Sequence, residues 1–270
     1  MSFVGAGPGA ADLLTLRAAK VIAAADIVVW ASSLVHEDVL GHARGDAEIV
    51  DSASLPLEGV EPLYRRAAAE GLRVARIHSG DPALWGAVAE QRAMCERIGI
   101  AHETIPGVSA AAAAAAAVDV ELTVPEVAQS VVLTRLEGGK TPMPPGETVR
   151  SFAAHGATMA LFLSTARARQ LQQELLAGGY APDTPCVVAY RISWEDEAVA
   201  RCPLDRLAET VRARRWWKHT LILVGPALDQ AAVSTRSHLY HPGHFHGHRK
   251  AEAAARRELR EAATAKDAGG

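Results

Sequence analysis

Cysteine is scarce: the 270 residues hold three, Cys95, Cys186 and Cys202, widely spaced and without Cys-x-x-Cys spacing. An odd, scattered set argues against a disulfide framework and fits reduced thiols in a cytosol. Positive charge is not in excess either. A net charge of -3 leaves no global basic field for gripping nucleic acid. No apolar run is long enough to span a bilayer, and Ser2-Phe3-Val4 reads as a strand rather than as the basic and apolar regions of a leader. Gly-x-Ser-x-Gly is absent, and no Ser/His/Asp nucleophile pattern replaces it. The expectation is a soluble cytoplasmic protein with neither a nucleic-acid nor a membrane partner.

What the chain does have is a core's worth of apolar sequence. Hydrophobic residues make up 49% of it, which argues against disorder, and the length suits one large α/β domain or two small ones. Runs suited to buried parallel strands recur at Phe3-Val4, Ile27 to Trp30, Ile49-Val50, Val74 to Ile77 and Glu103 to Ile105. Segments of helical spacing lie between them, among them Leu13 to Ala25 and Leu63 to Glu70. That alternation predicts a parallel sheet covered by helices. Ser109 is placed to cap an alanine-rich helix from Ala110 to Ala117.

A second set of runs follows at Val131 to Thr134, Met159 to Leu163, Cys186 to Tyr190, Ala198 to Cys202 and Thr220 to Val224. Too few residues separate the two runs around Ile192 to Ala200 for a helical crossover, so a hairpin and a mixed sheet are expected there. The break falls near Asp119 to Glu126. The expected fold class is therefore α/β, with a parallel-sheet N-terminal lobe over 1–120, a mixed-sheet C-terminal lobe over 121–240 and a His-rich, charged tail over 241–270. From about Ala251 the tail reads as a solvated charged helix.

Three turns carry the chemical signal: Gly5-Ala6-Gly7-Pro8-Gly9, Ser79-Gly80-Asp81-Pro82 and Pro106-Gly107-Val108-Ser109. Each follows an apolar run, and backbone-rich loops at strand ends point to one shared ligand cleft between the lobes. The first superficially resembles a dinucleotide fingerprint. Pro8 stiffens it and removes an amide donor, and the second strand ends at Trp30-Ala31-Ser32, where a ribose-binding carboxylate would be wanted. A nicotinamide cofactor is therefore disfavoured. Asp81 has two readings, a ligand-facing or catalytic carboxylate and a backbone cap after Pro82; Ser109 is likewise a cap or a pocket wall. His238, His241, His244, His246 and His248 could capture a metal adventitiously, but they lack a fixed ligand pattern, so no catalytic metal is expected.

The ordered set of motifs resembles the tetrapyrrole methylase family almost end to end. It comprises Val4 to Gly9 with Asp12-Leu13-Leu14-Thr15, Ser79 to Pro82, Pro106 to Ser109 and Glu121-Leu122-Thr123-Val124-Pro125. Leu133 to Gly138, Thr141-Pro142, Ala160 to Ser164, Val188 to Arg191 and Ser237 to Tyr240 resemble the branch of that family that methylates precorrin-4 at C11, giving precorrin-5, in cobalamin biosynthesis.

The resemblance implies a two-lobed fold, usually dimeric, that binds S-adenosylmethionine between its lobes and takes a tetrapyrrole substrate. By position it implies a cofactor pocket of Pro8, Ser79, Gly80, Asp81, Leu84, Ser109, Ala110, Leu163, Tyr190, Ile192 and Ala227. Leu163 stands where some relatives have methionine, and Ile192 where a smaller residue is usual. Asp81 is the candidate for electrostatic or proton handling. A precorrin's acetates and propionates call for arginine at the rim; Arg135 and Glu137 are the first candidates, followed by Arg167, Arg169 and Arg191.

Overall fold

A computed structural model describes residues 1–138, 141–229, 240–245 and 257. The first five strands are β1 (Ser2–Gly5), β2 (Ile27–Trp30), β3 (Glu48–Asp51), β4 (Val74–His78) and β5 (Glu103–Ile105). They form an all-parallel sheet in the order β3-β2-β4-β1-β5. The interior strands β1, β2 and β4 read as largely apolar runs because both their faces are covered, whereas the edge strands β3 and β5 are mostly exposed. Val28, Ala75 and Ile77 pack on one side, while Ile27, Val29 and Val74 pack with Tyr64 and Met94 on the other.

The connections are α1 (Leu16–Ala24), α2 (Leu57–Glu70), α3 (Val88–Ile98) and α4 (Ala110–Ala117). Thr15 caps α1, its hydroxyl accepting the Ala18 amide at 3.1 Å, so the helix begins later than the Leu13 that spacing alone suggests. Helix α2 begins earlier than expected and runs through Pro62.

Strands β6 (Val131–Arg135), β7 (Thr158–Phe162), β8 (Pro185–Tyr190), β9 (Ala198–Pro203) and β10 (Thr220–Val224) form the second sheet. Its order is β6-β7-β10-β8-β9, with β6 parallel to β7 and the other pairs antiparallel. The expected hairpin is β8–β9. Helices α5 (Val149–Ala153), α6 (Ala168–Ala177) and α7 (Leu207–Arg214) cover one face over Met159, Leu161, Val188 and Ile222.

The other face is covered by α4. Ala111, Ala113 and Ala114 pack on Ala160, Val187, Ala189, Leu221 and Leu223, so this helix joins the second sheet although its sequence adjoins the first. Eight alanines in a row allow the backbone to approach closely, and Ser109 caps the helix by accepting the Ala111 amide. By packing, α4 therefore belongs with the second sheet, although it precedes the break near Asp119 to Glu126 expected from sequence.

Of the tail, His241 and His244 are described; His238, His246 and His248 lie outside the described residues, as does the expected terminal helix apart from Arg257. Among the described residues, no helix is long and apolar enough to cross a membrane.

Candidate active site

Strand order creates the site. Because β1 lies between β4 and β5, the three glycine-bearing loops leave neighbouring strand ends side by side. Ala6 donates to His78 O at 2.8 Å, and Gly7 and Gly80 exchange amide-to-carbonyl bonds of 3.2 and 2.7 Å. The third loop is pressed against the other two. A Cβ on Gly107 would lie 2.1 Å from Gly80 O and 2.8 Å from Gly5 Cα, so only glycine fits there. Asp81 ties the set together: Oδ1 accepts the Ala83 amide at 2.7 Å, and Oδ2 accepts the Gly107 amide at 2.9 Å.

The second lobe closes the other wall. Since β10 runs antiparallel to β7 and β8, its first residues lie beside their C-terminal ends. Phe162, Leu163, Thr165, Ala166, Arg191 and Ile192 face the loops across a cleft of about 820 Å³. That volume lies within the range of small-molecule sites. Trp85 bridges the mouth with its ring centroid 4.7 Å from that of Phe162. The β8–β9 turn grips the first loop, where Trp194 Nε1 donates to Pro8 O at 2.9 Å and the Ala10 amide donates to Ser193 Oγ at 3.0 Å.

Backbone strain collects here. Trp85, Ala87, Leu163, Arg191 and His219 all line the cleft with φ between 44° and 54°, a conformation that side-chain-bearing residues adopt only when their surroundings impose it. Leu163 is held this way while 71% exposed, presenting an apolar side chain to the opening instead of burying it.

Pro8, Ser79, Gly80, Asp81, Leu84, Ser109, Ala110, Leu163 and Ile192 meet in this one cleft. Tyr190 and Ala227 do not line it. Tyr190 turns away to stack on Trp216 at 5.3 Å, as alternation along β8 requires, and Ala227 is fully buried with Val124 and Ala128. Arg135 and Glu137 also stand apart. Arg135 donates to Thr141 O at 3.1 Å and Pro142 O at 3.4 Å, so its guanidinium braces its own loop. Arg167 likewise donates to the carbonyls of Leu136 and Glu137, and Arg169 is exposed on α6. Of the four candidate arginines only Arg191 reaches the cleft, with Nε 2.7 Å from Asp196 Oδ1 and its guanidinium 4.2 Å above the Trp194 ring. Sequence reading missed Arg76, Trp85, Trp194, Trp217 and His219, although Arg76 and Trp85 flank the Ser79 to Pro82 turn in the run from Arg76 to Gly86. Among the described residues, no group of three or more His, Cys, Asp or Glu is placed to hold a metal ion.

His78, at the end of β4, gives the site a pH signature. Its Nε2 is buried without a hydrogen-bond partner, and burial, aided by the nearby Arg76 charge, depresses its pKa to about 4 from the usual 6.5. The unfolded chain takes up this proton near pH 6.5, whereas the folded chain refuses it until about pH 4. Stability from neutral His78 is therefore complete above pH 6.5 and declines as pH falls through that window, by up to about 3 kcal/mol. His78→Phe is expected to flatten the difference between urea midpoints at pH 7 and pH 4.5. An unchanged difference would refute the assignment.

A parallel sheet and a mixed sheet facing each other across an open cleft, with backbone loops along one wall, define a two-lobed α/β protein with a cleft of small-molecule size at the lobe junction. The chain belongs to the family described as Tetrapyrrole (Corrin/Porphyrin) Methylases, whose model matches residues 1–208. It is 42% identical over 247 residues to a cobalt-precorrin-4 C(11)-methyltransferase of Methanocaldococcus jannaschii, covering 92% of this chain and 95% of the relative. It is 43% identical over 242 residues to a precorrin-4 C(11)-methyltransferase of a Sinorhizobium species, covering 90% and 95%. The solved structure of a cobalt precorrin-4 methyltransferase superimposes with a TM-score of 0.82 at 39% identity, covering 84% of this chain and 95% of that one. A Thermus thermophilus uroporphyrin-III C-methyl transferase, solved with S-adenosyl homocysteine, superimposes with a TM-score of 0.69 at 26% identity, covering 84% and 97%.

Proposed function

We propose that this chain transfers a methyl group from S-adenosylmethionine to C11 of precorrin-4, giving precorrin-5 in cobalamin biosynthesis. The observation that carries the reading is convergence: loops from opposite halves of the sequence, each implied by the family resemblance to hold the donor, line a single cleft. A cytoplasmic homodimer belongs to the same proposal: the few, scattered cysteines support the first part and the resemblance alone supports the second.

The lining fits the donor. Its first-lobe wall includes Pro8, Ser79, Gly80 and Ser109, on loops that pack backbone to backbone at Gly5, Gly80 and Gly107, and is suited to hydrogen bonding with an adenosine and an amino-acid end. Leu84, Leu163 and Ile192 add apolar surface beside it. When bound, S-adenosylmethionine supplies an electrophilic methyl carbon on a sulfonium sulfur. The protein's part is to hold donor and macrocycle in one orientation, an effect worth roughly 7 to 11 kcal/mol of barrier in favourable cases. Trp85 and Phe162 offer aromatic surface to a planar ligand at the mouth. Asp81, with both oxygens on backbone amides, holds the loops that form the wall.

The test is a mass-resolved assay of purified protein with S-adenosylmethionine and precorrin-4, run beside cobalt-precorrin-4 because the relatives carry both names. The expected products are S-adenosylhomocysteine and a macrocycle one methyl heavier at C11. Cobalt-dependent turnover would move the substrate to the metallated form. Binding without methyl transfer to either substrate would remove the catalytic reading.

A further inference from the structure

Three permanent cations line the cleft: Arg76, Arg191 and Lys218. Arg191 has Asp196 beside it, and Lys218 is exposed to solvent. Arg76 is only partly exposed and has no acid beside it among the described residues. It projects from β4 between the end of β3 and α3, where Nε donates to Gln91 Oε1 at 3.2 Å and Nη1 donates to Ser52 Oγ. Both partners are neutral, and no carboxylate pairs with Arg76 among the described residues. The adjoining Tyr64 supplies no counter-charge, because burial pushes its pKa up to about 12. Burial also works against the charge of Arg76 itself.

A guanidinium has five N–H donors in a rigid fork. Here two serve as anchors, and the anchors are themselves fixed. The Gln91 amide donates to Ala87 O at 3.3 Å, Tyr64 Oη donates to Gln91 Oε1 at 3.3 Å, and Ser52 Oγ donates to Trp30 O at 2.7 Å. The fork is thus oriented before any ligand arrives. A half-buried cation without an acid carries a desolvation cost in the free protein, and the cost is offset when a bound ligand brings the acid.

We propose that Arg76 recognises a carboxylate of a bound ligand, taking the role assigned from sequence to Arg135. The proposal rests on the methyltransferase reading for its two possible sources of that carboxylate: an acetate or propionate of the tetrapyrrole, or the amino-acid end of the methyl donor. Arg191, beside Asp196, and the exposed Lys218 are left to further carboxylates of the ligand.

The experiment measures binding rather than turnover, so its outcome is independent of whether precorrin-4 is methylated. Affinities of wild type, Arg76→Met and Arg76→Lys are measured by calorimetry for S-adenosylhomocysteine and by fluorescence for uroporphyrin III, each at two salt concentrations. Arg76→Met is expected to weaken one of the two ligands by about tenfold or more, with the other within about twofold. The salt dependence of the weakened ligand should flatten, because a charge has left the contact. Weakened uroporphyrin identifies a tetrapyrrole carboxylate, and weakened S-adenosylhomocysteine identifies the donor's. Arg76→Lys, which keeps the charge without the fork, is expected to fall between, and it carries the test if Arg76→Met does not fold. Equal losses for both ligands with salt dependence unchanged, or no loss for either, would overturn the proposal and leave Arg76 as a strut between β3 and α3.

Discussion

Gly107→Ala is expected to unmake the donor wall and to destabilise the whole chain. The added methyl would stand 2.1 Å from Gly80 O, 2.8 Å from Gly5 Cα and 3.0 Å from Gly5 C. All three are backbone atoms, so no side chain can swing aside. Relief requires moving the Gly80 carbonyl, which accepts the Gly7 amide, or moving Gly5 at the end of β1, which is paired on both sides. Either movement breaks bonds between loops and leaves buried polar groups unmatched. A loss of about 3 kcal/mol or more is expected, beyond the usual cost of overpacking because the obstacle is main chain. In a chain of this size that lowers Tm by roughly 6 to 12 °C. S-Adenosylhomocysteine binding should fall below detection in the same calorimeter. Gly45→Ala is the control: a Cβ there meets nothing within 4 Å, so Tm and affinity should stay put. Wild-type affinity in Gly107→Ala would show that the three loops do not form one binding surface.

The reason residue 107 matters was only half visible in sequence. Pro106-Gly107 reads as a turn after a short strand, and so do Gly5-Ala6-Gly7 and Ser79-Gly80. What makes them one object is the order β4-β1-β5, and strand order is a tertiary property that no local pattern encodes. The interior strands of the first sheet were legible because β1, β2 and β4 are largely apolar runs bounded by turn residues and covered on both faces. Helix α4 shows where proximity in sequence misleads. Eight alanines have no amphipathic face to declare a partner, and the helix packs on the sheet that forms later in the chain. Tyr190 fell on the wrong side through alternation along β8: Ala189 lines the cleft, while Tyr190 faces Trp216 in the helical layer. Arg76 was overlooked for a related reason. An arginine inside an apolar run looks like a blemish in a strand until the structure shows Ser52 and Gln91 bonded to it and, among the described residues, no acid paired with it. Trp194 and His219 gain their roles only when β8, β9 and β10 bring their ends together at the junction with the Pro8 loop.

Asp81→Asn is the sharper companion test, because it changes one atom and separates two roles for the same carboxylate. If Asp81 serves mainly to handle charge or a proton on the ligand, its neutral isostere should bind S-adenosylhomocysteine normally and lose only turnover. The geometry favours a brace. Both oxygens already accept backbone amides, from Ala83 at 2.7 Å and Gly107 at 2.9 Å, and each bond uses the negative charge to strengthen a neutral donor. An asparagine has one acceptor oxygen; its NH2 must face whichever amide remains, setting donor against donor. The Gly107 amide lies where its loop is wedged against Gly5 and Gly80, so it has little room to turn towards another acceptor. We expect about a 10- to 100-fold loss of S-adenosylhomocysteine affinity in Asp81→Asn, with kcat/KM falling at least as far, and no better behaviour in Asp81→Ala. Asp81→Asn binding S-adenosylhomocysteine as tightly as the wild type, with kcat alone reduced, would defeat the brace and return this residue to the reacting atoms. The same measurement ranks the loops: if loss of the brace weakens the donor while uroporphyrin III still binds, the strand-end loops serve the methyl donor and the remainder of the cleft, where Arg76 lies, serves the macrocycle.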